Sequence, residues 1–237
     1  MATPFYVAPE QMMKDRAEYA RKGIARGRAL VAVEHADGVV FVGENPSRSL
    51  HKTSEIYDRI GFAAVGKYNE FEALRVAGIR LADVKGYQYA REDVTAKSLA
   101  NAYSQALGAS FMGDSKPYEV ELLIAEVAPA TGRVDADPAQ DSSLELYHIL
   151  YDGSIVDEHR FVAIGGEAEA LNTALEERYR DDLDRDGALR VAVEALTAVS
   201  GRELQAETLE VAGLDASRPR RRFFRLRDEA LRTALSG

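Results

Sequence analysis

Residues 28–45, RALVAVEHADGVVFVGEN, carry the reading on which the fold turns. RALVAVEH and GVVFVGE are short β-rich runs separated by Ala36, Asp37 and Gly38. An Asp-Gly pair between such runs is a strong hairpin signal, so the first two strands are antiparallel neighbours. Downstream, GFAAVGK at 61–67 is small and apolar throughout, which predicts a third strand in the interior of a sheet. Upstream, the stretch from Glu10 to Arg26 predicts a helix with a thin apolar stripe and a charged face, which must pack on a partner.

Beyond the third strand, Phe71, Leu74, Gly78 and Leu81 recur at spacings of three and four and predict a helix with one buried face. Leu99, Tyr103, Leu107 and Phe111 do the same over 94–112, with Asp93 as the expected N-cap. YEVELLIAEVA (118–128) and LELYHILYDG (144–153) read as strands flanking PATGRVDADPAQDSS, a polar surface excursion. HRFVAIGG (159–166) is a further strand. A helix follows with Ala168, Leu171, Leu175 and Tyr179, then another with Leu189, Val193, Leu196 and Val199 or Ser200. ETLEVAGLD (207–215) returns to strand, and LRDEALRTAL (226–235) reads as a short closing helix. Strands thus come in blocks, which disfavours a doubly wound parallel sheet. Two antiparallel sheets stacked face to face, with helix pairs over both outer surfaces, would bury every apolar stripe.

The 237 residues suit one well-buried core. A hydrophobic share of 46% and a charged share of 29% describe an ordinary globular chain. The net charge of -9 argues against nonspecific binding to nucleic acid or an anionic membrane. With no cysteine there is no disulfide, thiolate catalysis or cysteine-based metal site. The first residues lack the basic start and apolar core of a secretory signal, and no run is long enough for a membrane span; the expected location is the cytoplasm.

Several stretches invite a chemical reading. SLHKTSEIYDRIG (49–61) gathers Ser49, His51, Lys52, Thr53, Ser54 and Glu55, the residue types of acyl transfer, but in a polar segment between strands and without the G-x-S-x-G elbow. Asp182, Asp184, Asp186 and Gly187 resemble the opening of a calcium loop, yet the closing glutamate should fall at Val193. Acidic residues ahead of a helix stabilise its N-terminus without a metal. The four histidines, His35, His51, His148 and His159, never take the spacing of a zinc helix, and His148 is expected to be a hydrogen-bonded core residue. RPRRRFFRLR (218–227) could be a nucleic-acid patch, but in so acidic a chain its arginines are expected to pair with carboxylates of an adjacent subunit. No metal or cofactor is implied.

Taken together, APEQ (8–11), EYARKGIARGRALVAV (18–33), GVVFVGENPSRSL (38–50), YDRIGFAAVGKYNEFEALR (57–75), KPYEVELLIAEVA (116–128), YDGSIVDEHRFVAIGG (151–166) and LDASRPRRRFFRL (214–226) resemble the proteasome subunits, the bacterial, actinobacterial-type α-subunit of the 20S core in particular. The resemblance implies an α+β fold, the four-layer αββα sandwich of the N-terminal-nucleophile hydrolases. It implies a gate segment over 1–9 and one subunit domain over 10–237.

In the catalytic β-type sister the nucleophile is a processed N-terminal threonine whose own amine serves as base. Here that slot falls at about Arg28, behind an uncleaved helix; Glu44 fills the carboxylate slot, Pro46 takes the basic position beside it, and no lysine is expected to match the amine-tuning one. Thr3 is followed by Pro4 and separated from the strand by the helix. The resemblance therefore implies a noncatalytic subunit. It would join other α-subunits in a homoheptameric ring on the β-subunits, with its first helix packed between neighbours. Ala2, Thr3, Pro4, Phe5, Tyr6, Val7, Ala8 and Pro9 would gate the axial pore, with Pro9 and Tyr19 supporting the gate. The Tyr-Asp pair of archaeal and eukaryotic gates is absent. Lys52 matches the lysine that receives the C-terminal carboxylate of an activator, usually a hexameric AAA ATPase, with proteins tagged by the prokaryotic ubiquitin-like protein as cargo. The alternative is an N-terminal-nucleophile hydrolase that matures by cleavage ahead of the first strand.

Overall fold

The structure, a computed structural model, describes residues 8–127 and 144–236. Ala2, Thr3, Pro4, Phe5, Tyr6 and Val7 of the expected gate lie outside the described residues, as does nearly all of the excursion at 129–143.

Helix α1 (Pro9–Ala25) leads into β1 (Leu30–His35) and β2 (Gly38–Glu44), the expected hairpin, paired from Leu30↔Gly43 to His35↔Gly38. Gly38 has φ 155°, and a Cβ there would lie 2.1 Å from the Leu214 carbonyl oxygen, so only glycine fits the turn. Next come β3 (Thr53–Tyr57), β4 (Ile60–Gly66), α2 (Tyr68–Gln88), α3 (Ala96–Met112) and β5 (Val120–Val127). After the excursion come β6 (Leu144–Ile149), β7 (Ile155–Glu158), β8 (Phe161–Ile164), α4 (Ala168–Glu176), α5 (Arg185–Ser200), β9 (Leu209–Asp215), β10 (Phe223–Leu226) and α6 (Asp228–Ser236).

The strands form two five-stranded antiparallel sheets, one in the order β10-β9-β2-β1-β8 and the other β3-β4-β5-β6-β7. Alternation of side chains gives each sheet two apolar faces. Leu30, Ala32, Val39 and Phe41 of the first sheet meet Ala63, Val65, Leu123 and Ala125 of the second in the central layer. On the other face of the first sheet, Val31, Val33, Val40 and Val42 pack against Leu171, Leu189, Leu196 and Leu231 of α4, α5 and α6. On the outer face of the second, Phe62, Leu122 and Ile124 pack against Phe71, Leu74, Leu99 and Tyr103 of α2 and α3. The architecture is the expected four-layer αββα sandwich.

Several local expectations change. Thr53–Tyr57, expected to be a polar connection, is a strand; so are Ile155–Glu158 and Phe223–Leu226. All three are edge strands, two of them flanking the second sheet and one the first. Thr95, not Asp93, caps α3 by accepting from Ser98 N–H at 3.2 Å; Asp93 instead accepts from Ala90 N–H at 3.1 Å in a short 3-10 turn. On α2 the buried stripe runs Phe71, Leu74, Gly78, Ala82, leaving Leu81 exposed, because the helix continues its 3.6-residue period past Gly78 to Ala82.

Helix α1 finds a partner in its own chain. Ala20 and Ile24 enter the central layer. Arg16 donates to the carbonyls of Phe111, Ser110 and Ser115 at 2.8, 3.0 and 2.6 Å, satisfying the C-terminal end of α3.

Candidate functional site

The hairpin brings the start of β1 and the end of β2 to one end of the sandwich. Arg28 lies just ahead of β1 and Glu44 closes β2; their side chains approach to 3.6 Å, and Arg202 holds Glu44 from the other side at 2.5 Å. The Arg202 hydrogen bond keeps the Glu44 carboxyl below the usual carboxylate range. The segment 45–52 leaves β2, and Lys52 immediately precedes β3.

The Lys52 ammonium donates to the Arg28 carbonyl oxygen at 2.6 Å. Segment 45–52 folds back across the hairpin end and so brings Lys52 to the backbone of Arg28, the position expected to be the nucleophile slot. Burial pushes Lys52 down to about 8; Arg28 adds to that, while Glu210 and Glu44 oppose it. An ammonium has three donors, and the Arg28 carbonyl takes one.

Glu210, on β9 opposite Gly43 of β2, holds this segment in place. Its carboxylate, 6% exposed as a residue, accepts from Lys52 N–H at 3.0 Å, Thr53 N–H at 3.0 Å, Asn45 Nδ2 at 2.6 Å and Arg225 at 2.8 Å, and from the Thr53 hydroxyl. Burial alone would raise the Glu210 carboxyl; these hydrogen bonds, from the Lys52 amide first, bring it down to about 2. Asn45 Nδ2 also reaches the Leu50 carbonyl at 2.7 Å, closing the loop on itself.

The acyl-transfer cluster does not assemble. His51 Nδ1 lies 3.7 Å from Glu210, and no hydrogen bond joins its ring to a hydroxyl among the described residues. Ser54 sits by Arg75, and Glu55 pairs with Arg221. Ser47, not Ser49, accepts the Leu50 N–H. Arg28 stands at the position expected to be the nucleophile slot, and just ahead of it Gly27 N–H bonds the Ile24 carbonyl at 2.9 Å.

Elsewhere, Asp184 caps α5 by accepting from Gly187 N–H at 2.7 Å and Asp186 pairs with Arg185, so two acids of the calcium-like run serve the helix. Among the described residues no three potential ligands gather for a metal ion. His148 lies 3.8 Å from Glu121 and 3.5 Å from Glu158; burial lowers it, but the two carboxylates prevail and raise it to about 9. The ring thus sits between two carboxylates, its Nε2 short of ordinary hydrogen-bond distance from Glu121. Arg225, on Phe223–Leu226 at the sheet edge, pairs with Glu210, and the exposed Arg221 ahead of that strand pairs with Glu55 of the same chain; the expected partners on an adjacent subunit are not needed for these two.

Of the gate positions that are described, Pro9 is the first residue of α1 and Ala8 its N-cap, accepting from Met12 N–H at 3.1 Å; fixed φ suits proline there. Tyr19 is 49% exposed on α1, its ring 5.6 Å from the Lys116 ammonium. Glu210, Arg225 and Asn45 were missed by sequence reasoning. The available signal was a carboxylate inside the apolar run LEVAGL, which demands buried partners.

Stacked sheets between helical layers, with residues 28, 44 and 52 converging at one end, define the N-terminal-nucleophile hydrolase type of sandwich. A family model described as proteasome subunit matches residues 24–213, and the chain belongs to that family. It is 57% identical over 245 residues to the proteasome subunit alpha of Kineococcus radiotolerans, covering 100% of this chain and 99% of that protein. Identity to the proteasome subunit alpha of Streptomyces griseus is 57%, over 95% of this chain and 81% of that protein. To that of Thermobifida fusca it is 54%, over 98% and 90%.

Proposed function

We propose that this chain is a noncatalytic α-subunit of a cytoplasmic proteasome core that docks an activator through Lys52. The observation that carries the docking reading is the amine of Lys52, held at one end of the sandwich by a rigid carboxylate network and bonded to a single carbonyl. A chain-terminal carboxylate needs such a partner, a charge with donors to spare. In this reading a hexameric AAA ATPase supplies the carboxylate. Seven copies form the outer ring on the β-subunits, residues 10–237 act as one domain, and residues 1–9 close the pore, with Pro9 and Tyr19 setting the path of the chain. Proteins tagged with the prokaryotic ubiquitin-like protein are the cargo. Arg28, which carries no hydroxyl or thiol, at the position expected to be the nucleophile slot supports a noncatalytic role.

The test is the core assembled from this chain and its β-subunit. Lys52→Ala leaves assembly and small-peptide hydrolysis intact and abolishes stimulation by the ATPase; equal stimulation of variant and parent removes Lys52 from the site. Deleting residues 2–8 raises basal peptide turnover, and an unchanged rate contradicts the gate. A mature chain beginning near Arg28 by intact mass would instead establish the self-processing hydrolase.

A further inference from the structure

Segment 45–51, the strands β9 and β10 and helix α6 close around a cleft of about 250 Å3 on which the docking reading makes no demand. Its lining is apolar at Pro46, Leu209, Leu226 and Leu231. The remaining lining is dominated by arginine, with four arginines against three carboxylates. Two of these arginines are already committed, Arg225 to Glu210 at 2.8 Å and Arg232 to Glu207 at 2.6 Å. Asp228, the third carboxylate, opens α6 and acts on the same Arg232. Arg48 and Arg227 have no carboxylate partner among the described residues. Arg227 instead points a guanidinium nitrogen at Nε2 of His51, 3.4 Å away.

That contact is informative. Burial keeps His51 below the usual imidazole range, and the two guanidiniums of Arg225 and Arg227 push it the same way, against Glu210. An imidazole facing a guanidinium, with a second arginine lacking a carboxylate partner lining the same cleft, is an arrangement that an anion would complete. It would bond Arg227 and Arg48 and favour protonation of His51. An inorganic oxyanion alone would leave the leucines wet, and a cleft below the roughly 300–1,000 Å3 of most ligand pockets limits its occupant to a small molecule.

We propose that this cleft is a binding site for a small carboxylate with a short apolar body, the head held by Arg48, Arg227 and His51 and the body lying on Leu226 and Leu231. The cleft shares Asn45, Glu210 and Arg225 with the network that holds Lys52, but the groups offered to the ligand, Arg48, Arg227 and His51, are not those offered to an activator.

The probe is hexanoate, added to the full-length chain while the His51 ring proton is followed by NMR, with His51→Gln giving the assignment. Hexanoate raises the His51 titration midpoint by about one unit in a saturable manner, the shift an adjacent opposite charge produces. Hexan-1-ol and inorganic phosphate, which supply only the body or only the charge, produce less than a tenth of that effect at equal concentration. In Arg227→Gln the hexanoate affinity falls at least tenfold, and Arg48→Gln, a change at a loop position outside every strand and helix, lowers it in the same direction with an unaltered melting temperature. The proposal is overturned if hexanoate leaves His51 unmoved, if hexan-1-ol or phosphate matches it, or if the double variant Arg48→Gln, Arg227→Gln responds like the parent.

Discussion

Two buried glutamates, Glu126 on β5 and Glu210 on β9, are built alike and serve different ends. Both are under a tenth exposed, both bond an arginine, and both accept backbone N–H groups. Glu126 takes the Arg59 Nε at 2.7 Å and the Ala96 N–H at 2.6 Å, at the first residue of α3. Arg59 in turn donates to the carbonyls of Arg91, Glu92 and Val94. Everything in that cluster is scaffold, since it fastens the connection between α2 and α3 and stabilises a helix N-terminus. Glu210 fastens a loop as well, but the loop ends in an amine that the cluster does not consume. A buried carboxylate is therefore no sign of a site by itself; what it holds decides.

The comparison is most exposed to a pair of variants. Glu210→Gln removes the charge facing Arg225 and loosens segment 45–52, so ATPase stimulation of the assembled core falls to the Lys52→Ala level. Stimulation that survives would make Glu210 as purely structural as Glu126. Glu126→Gln leaves Arg59 with only the more distant Asp58 carboxylate, 3.8 Å away, and lowers the melting temperature by up to roughly 10 °C, the effect of breaking a buried pair worth about 3 kcal/mol. Stimulation per assembled particle stays at the parent value; its loss would erase the contrast from the other side.

Proton linkage sharpens the same contrast. The Glu210 carboxyl, held at about 2 in the fold against an ordinary 4.5, contributes stability above pH 4.5 that is lost as pH falls towards 2. Acid denaturation followed by circular dichroism should be shallower in Glu210→Gln, and an identical profile would show the network to be worth little. Lys52 behaves oppositely: activator affinity declines as pH rises through about 8, and Lys52→Arg removes that decline. The smallest effect belongs to His148. Its stabilising charge is complete below pH 6.5 and disappears as pH rises through about 9, so His148→Gln should flatten the alkaline fall in melting temperature. An unchanged slope would mean that Glu121 and Glu158 do not hold the ring as an ion.

Seven strands are legible in sequence: β1, β2, β4, β5 and β9 through continuous apolar runs buried on both faces, and β6 and β8 through shorter runs that bury fewer residues. The three that were not legible are edges. Ile155–Glu158 is exposed over most of its length, Thr53–Tyr57 buries only Thr53 and Ile56, and Phe223–Leu226 is hidden inside an arginine run. An edge strand needs little apolar patterning because one flank faces outward, so its pairing is dictated by its neighbour. The candidate site was legible only at Lys52, through resemblance. Its mechanism was not, because Asn45, Lys52, Glu210 and Arg225 are far apart in sequence and meet only when β9 pairs with β2.

That pairing also bears on how the chain is made. β2 lies between β1 and β9, so during synthesis the first hairpin has one open flank until residues 209–215 have left the ribosome. Most of the polypeptide must wait with a valine-rich strand unpaired, the condition under which nascent chains stick to one another. A ribosome stalled in the last thirty residues would release a chain with neither a closed sheet nor a positioned Lys52.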